Sequence, residues 1–132
     1  MLHDELKDLS NLRLKSAKTL LKTAVALVEI GDYKSAANRS YYAIFNAMRA
    51  ELALLSEDYK SHQAVISSFR KHFLKTEVLD KNFSKIITQL FDVRTQSDYD
   101  DHYVISKEEV TAQVESAKIF VNAIVSHLAT ID

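Results

Sequence analysis

Apolar residues recur along this chain at intervals of three and four, the spacing that stacks side chains on one face of an α-helix. Between about Leu2 and Ile30, a single stripe carries Leu14, Ala17, Leu21, Ala24 and Val28. Gly31 follows, where a residue in the left-handed conformation would stop that helix. Asp32 is placed to cap a second helix reaching about Leu55. Residues 56–60 are polar and read as a link. Ser61 is placed to cap a third helix, with Val65, Ile66, Phe69 and Phe73 on one face. Asp80 is placed to cap a fourth, with Phe83, Ile86, Ile87, Leu90 and Val93 inward. Ser106 and Glu109 form a capping box before the last, which repeats Val110, Val114, Ala117, Val121, Ile124 and Leu128. The pattern predicts an all-α fold, an up-and-down bundle of about five helices forming one domain over residues 1–132.

Composition supports this reading. One glycine and no proline leave almost no turn chemistry for a β protein. Hydrophobic residues at 47% and charged ones at 27% are ordinary for a globular chain. Without cysteine there is no disulfide, thiolate metal site or thiol nucleophile. No apolar run approaches the roughly 18 residues of a membrane span, and Asp4 and Glu5 stand where a signal peptide would be basic. A cytoplasmic location with no membrane partner is expected. The net charge is −1, but its distribution is uneven. Residues 13–75 hold 11 Lys/Arg against 5 Asp/Glu, whereas residues 76–132 hold 5 against 10. Either the two halves fold together and cancel, or a basic face is offered to RNA or an acidic partner.

Some residues break the apolar pattern. Arg39, Ala43, Asn46 and Ala50 share a narrow sector of the second helix, which is apolar on every side. A charge in that sector needs a partner, so Arg39 belongs either to a buried ion pair or to a cleft. Tyr41, Tyr42 and Phe45 read as core. On the fourth helix, the stripe of Phe83, Ile87 and Leu90 continues into Arg94, with Asp98 one turn beyond. That spacing permits an ion pair, and a guanidinium at a groove's edge also suits phosphate. Aspartates oppose the negative end of a helix, so this one is expected to end near Ser97. Asp98, Asp100, Asp101 and His102 would then lie in a solvated loop, and no metal site or cofactor is expected. Among the histidines, His62 opens the third helix and His102 is the one near Arg94 in sequence.

Arg39-Ser-Tyr-Tyr-Ala-Ile-Phe-Asn46, Ser61-His-Gln-Ala-Val65 with Phe69, and Arg94-Thr-Gln-Ser-Asp-Tyr99 occur in this order before a long final helix. Together they resemble the HEPN family (higher eukaryotes and prokaryotes nucleotide-binding domain) over about residues 13–126. The resemblance implies a helical bundle that pairs as a homodimer. Many HEPN domains are metal-independent ribonucleases, and some are toxins paired with a small nucleotidyltransferase antitoxin. Their motif is an arginine, four to six residues, then a histidine. Here seven residues separate Arg94 from His102, and Tyr99 stands at the histidine's expected place. That resembles the branch with Arg-x-x-x-Asp-Tyr, for which binding is the expected role. The resemblance makes Arg39, Tyr42, Asn46, His62, Arg94, Asp98 and Tyr99 candidates for binding nucleotide, RNA or a partner protein. Arg94 and His102 are the catalytic candidates of the ribonuclease alternative. A structural bundle without ligand is the third alternative, and no element is expected to read a DNA groove.

Overall fold

In a computed structural model of the chain, which describes residues 2–131, every regular element is helical. The elements are α1 (Leu2–Glu29), α2 (Tyr33–Ala53), α3 (His62–Phe69), α4 (Phe83–Tyr99) and α5 (Lys107–Leu128). The chain is an all-α bundle, as the periodicity predicts.

The helix ends follow local chemistry. Gly31 adopts a φ of 82°, which lets the Asp32 N–H reach the Leu27 carbonyl at 2.9 Å and its own N–H reach Val28 at 3.1 Å. This Schellman arrangement satisfies carbonyls that the end of α1 would otherwise leave open. Asp32 then accepts from the Ser35 N–H to begin α2. Ser61 accepts from Ala64 N–H at 3.1 Å, and Ser106 from Glu109 N–H at 3.0 Å. The expected cap at Asp80 acts elsewhere. Its carboxylate takes the Asn82 N–H at 2.9 Å within a turn, and α4 begins at Phe83 with no side-chain cap. From Phe69 the chain passes directly into one π-helical segment, Arg70–Leu74, before the turn that leads to α4.

The second helix lies in the middle, against α1, α3, α4 and α5. Thirteen of its residues are buried, among them Tyr41, Ile44, Met48 and Leu52. Ala17 and Ala24 of α1 and Ala43, Ala47 and Ala50 of α2 are completely covered. Side chains that small let helix axes approach closely and pack at interior density. Phe69, Ile87, Leu90, Phe120 and Ile124 complete the main core. A smaller cluster joins Ala36 and Ala37 to Ile105 and Val110, fastening the segment before α5 to the start of α2.

Because most of α2 is covered, polar groups on its covered sides must be satisfied by other helices. Ser10 donates to the Ala50 carbonyl at 2.7 Å, and Arg13 to the Arg49 carbonyl at 3.3 Å. Glu51 is 1% exposed, with His127 Nδ1 of α5 at 2.5 Å. Burial pushes the Glu51 carboxyl above its ordinary range, while the charge and hydrogen bond of His127 oppose that. A raised folded-state pKa stabilises below the unfolded value and is lost as pH climbs through the folded one. The Glu51 contribution to stability should therefore decline as pH rises above roughly 4.3, the unperturbed glutamate value. Glu51→Gln, which cannot titrate, should remove that decline from urea midpoints followed between pH 4.5 and 8. Parallel curves for the two proteins would refute this assignment.

Candidate functional site

Residues 42, 45, 46 and 49 fall at helical spacing along one edge of α2, so Tyr42, Phe45, Asn46 and Arg49 share a border. With Asp58, Tyr59 and Lys60 of the following loop and His62 of α3, they line an open groove of about 610 Å³. His62 is fixed from several directions. Its ring stacks on Phe45 at 4.3 Å, and its Nδ1 lies 2.9 Å from the Tyr41 hydroxyl. Tyr42 meets the imidazole edge-on at 5.7 Å. Burial, then the charges of Arg94 and Arg49, hold the His62 pKa below its ordinary value. The imidazole is therefore neutral at pH 7. Burial foremost also raises the Tyr41 pKa, so its phenol keeps its proton.

Arg94 enters the same cluster from α4. Its guanidinium lies 5.4 Å from the centroids of both Tyr41 and Tyr42, and donates to the Tyr42 hydroxyl at 2.9 Å. Asp98 is 3.0 Å from Arg94 Nε, the ion pair that the sequence spacing permits. Cation–π contacts and a carboxylate together hold a planar charge whose side chain is 21% exposed. Tyr42 links that charge to the groove, since it receives the Arg94 hydrogen bond and lines the groove wall.

The structure brings together Tyr42, Asn46, His62, Arg94 and Asp98. Asn46 lines the groove while its amide donates to the Tyr42 carbonyl. Arg39 is separate from this group. Rather than forming a buried ion pair, it is partly exposed and donates to neighbouring Asn38 at 2.9 Å. The helix also runs two residues past the expected end at Ser97, since the Arg94–Asp98 pair offsets the unfavourable dipole. Tyr99 closes it with 85% of its surface exposed. His102 is exposed in the next turn, its backbone N–H on Asp100. The imidazole grouped with Arg94 is that of His62, through Tyr41 and Tyr42. The sequence reading missed Arg49, Asp58, Tyr59 and Lys60. Arg49 follows Tyr42 and Asn46 at helical spacing and was legible; the loop residues had no periodicity to place them.

This geometry defines a helical module with an arginine–tyrosine–histidine cluster beside an open polar groove. The chain belongs to the HEPN domain family, which it matches over residues 10–128. A Methanocaldococcus jannaschii protein named "Putative toxin MJ0142" is 30% identical over 83% of this chain and 74% of its own length. A second from that organism, "Putative toxin MJ0605", is 28% identical over 94% and 92%. A Thermotoga maritima "UPF0332 protein" is 29% identical over 83% of each.

Arg94→Ala strands the Tyr42 hydroxyl and Asp98 together and should cost about 2 kcal/mol. Arg39→Ala removes one partly exposed contact and should cost under about 0.5 kcal/mol. Urea unfolding of both variants checks this ranking, and equal losses would overturn it.

Proposed function

We propose that this chain is a toxin-like HEPN binding module that takes a nucleotide or RNA into the groove beside Arg94. In this reading it works as a homodimer with a nucleotidyltransferase partner, in a toxin–antitoxin or defence pair. The observation that carries the reading is the guanidinium of Arg94, held against Tyr41 and Tyr42 and bonded to the Tyr42 that lines a groove carrying Arg49, Lys60 and His62. Arginine and lysine suit phosphate, and the aromatic rings of Tyr42, Tyr59 and His62 suit a flat base. The names of the two Methanocaldococcus relatives favour the toxin-like assignment. No helix among the described residues is long and apolar enough to cross a membrane, which is compatible with such a role.

Calorimetric titration with mononucleotides and a short oligoribonucleotide tests the ligand. Binding should be measurable and should fall at least about tenfold in Arg94→Ala, with the melting curve used to separate lost fold from lost binding. Equal affinity in a folded Arg94→Ala protein would remove Arg94 from the site. Light scattering at micromolar concentration should return twice the 15.0 kDa chain mass; a clean monomer would count against the dimer.

The ribonuclease alternative needs a histidine to move a proton from the 2′-hydroxyl. His102 shows no ring contact with Arg94 among the described residues, and His62 is engaged by Tyr41 and Phe45. The purified chain should leave structured and single-stranded RNA intact in either EDTA or magnesium. Cutting that survives EDTA and is lost in His102→Ala would reverse this reading.

A further inference from the structure

The loop from Leu54 to Ser61 is fastened by two consecutive carboxylates that face different ways. Glu57 accepts from Ser68 Oγ at 2.6 Å and lies 3.2 Å from His72 Nε2. Asp58 faces the opposite helices: its Oδ2 is 3.2 Å from Arg13 and its Oδ1 is 3.3 Å from Arg49. Each oxygen thus takes a separate arginine.

The two arginines belong to α1 and α2, whose packing fixes them independently of the loop. Arg13 has a side chain 10% exposed, and its second terminal nitrogen is anchored on the Arg49 carbonyl. Arg49 lies along Phe45 and lines the groove. The occupant is less firmly held. Asp58 is 56% exposed, and its loop turns through Ser56 at a φ of 56°, which a residue with a Cβ adopts at a cost. Simply opening the loop would leave two guanidiniums without a counter-charge, one of them largely buried. Replacing the carboxylate with another anion avoids that penalty. A phosphate offers the same pair of oxygens with more charge, in a geometry that guanidinium groups match. The groove is the route of entry, because Arg49, Asp58 and Lys60 all line it.

We propose that Asp58 is an internal stand-in for phosphate: Arg13 and Arg49 form an anion site, and a phosphate arriving through the groove displaces Asp58 and frees residues 58–61, while Glu57 keeps its clasp on Ser68 and His72. The idea rests on the phosphate-bearing ligand proposed above and adds a second contact point, remote in sequence from Arg94, together with a loop that reports occupancy.

The test titrates the full chain at low salt with inorganic pyrophosphate and with a short oligoribonucleotide. Asp58→Asn keeps the shape of the plug and removes its charge. It should bind pyrophosphate about tenfold more tightly than the natural chain, and Arg49→Ala in that background should abolish the gain. A gain shared by the oligoribonucleotide supports the site for phosphates of either source; a gain with the oligoribonucleotide alone supports it for a nucleic-acid backbone. Amide exchange needs no variant: Asp58 accepts from the Tyr59 N–H at 3.0 Å, and in the natural chain residues 58–61 should exchange faster once pyrophosphate saturates. Unchanged loop protection at saturation would overturn the proposal, as would a folded Asp58→Asn protein that binds neither probe more tightly. Arg94-dependent binding of the oligoribonucleotide in that same case would leave the broader reading standing. No binding of either probe by either protein would sink both.

Discussion

A helix covered over most of its circumference has little solvent to which its polar groups can be surrendered. That constraint, placed on α2, organises this molecule. Ser10 and Arg13 cover carbonyls near its C-terminal end, His127 answers Glu51, His62 answers Tyr41, and Arg94 answers Tyr42. The partners come from α1, α3, α4 and α5, so each neighbour is tied to the centre by at least one polar contact besides its apolar face. Apolar burial supplies the bulk of the stabilisation, but it is non-directional and tolerates sliding. The polar contacts are directional, and they favour one register for each neighbour.

The candidate site is the place where this requirement meets the surface. Tyr41 is wholly covered, Tyr42 is partly exposed, and the residues beyond them open into the groove. Arg94 and His62 complete the hydrogen bonding of two tyrosines, and in doing so hold a positive charge and a neutral imidazole at the boundary between core and solvent. Fixed charge beside aromatic surface is what a preorganised binding site requires. Here the preorganisation follows from making the core whole.

Most of the fold was readable in the sequence because helices declare themselves locally. The stripe through Ala17 and Ala24, the Gly31 stop and the Ser61 and Ser106 caps each depend on residues within a turn or two. Arg94 also stood out, being a charge on an apolar stripe. Its partners did not. The Asp98 pair lies one turn away and was expected, whereas the Tyr42 bond spans 52 positions. His102 drew attention by nearness in sequence, while His62 reached the cluster through packing of α3 on α2. Arg39 misled for the complementary reason. Helical phase located its sector, but phase alone does not say how far a neighbouring helix extends to cover it. Asp58 was hidden in a polar link, where no periodicity distinguishes a tethered residue from a solvated one.

The π-helical segment Arg70–Leu74 places one more residue in its turn than an α-helix of equal rise would need. A single deletion inside it would let the chain wind on as an ordinary α-helix, so the backbone itself would tolerate the loss. Side chains on either side would keep their aim, because the extra residue is held within the turn, whereas those inside the segment would each shift by one place. Ser68 and His72 grip Glu57 from opposite sides of the segment's start, and Phe73 backs the ring of His127. Chain length at this point therefore decides where His72 and Phe73 sit, and natural variation of one residue here would separate proteins that keep the bundle from proteins that also keep the loop clasp.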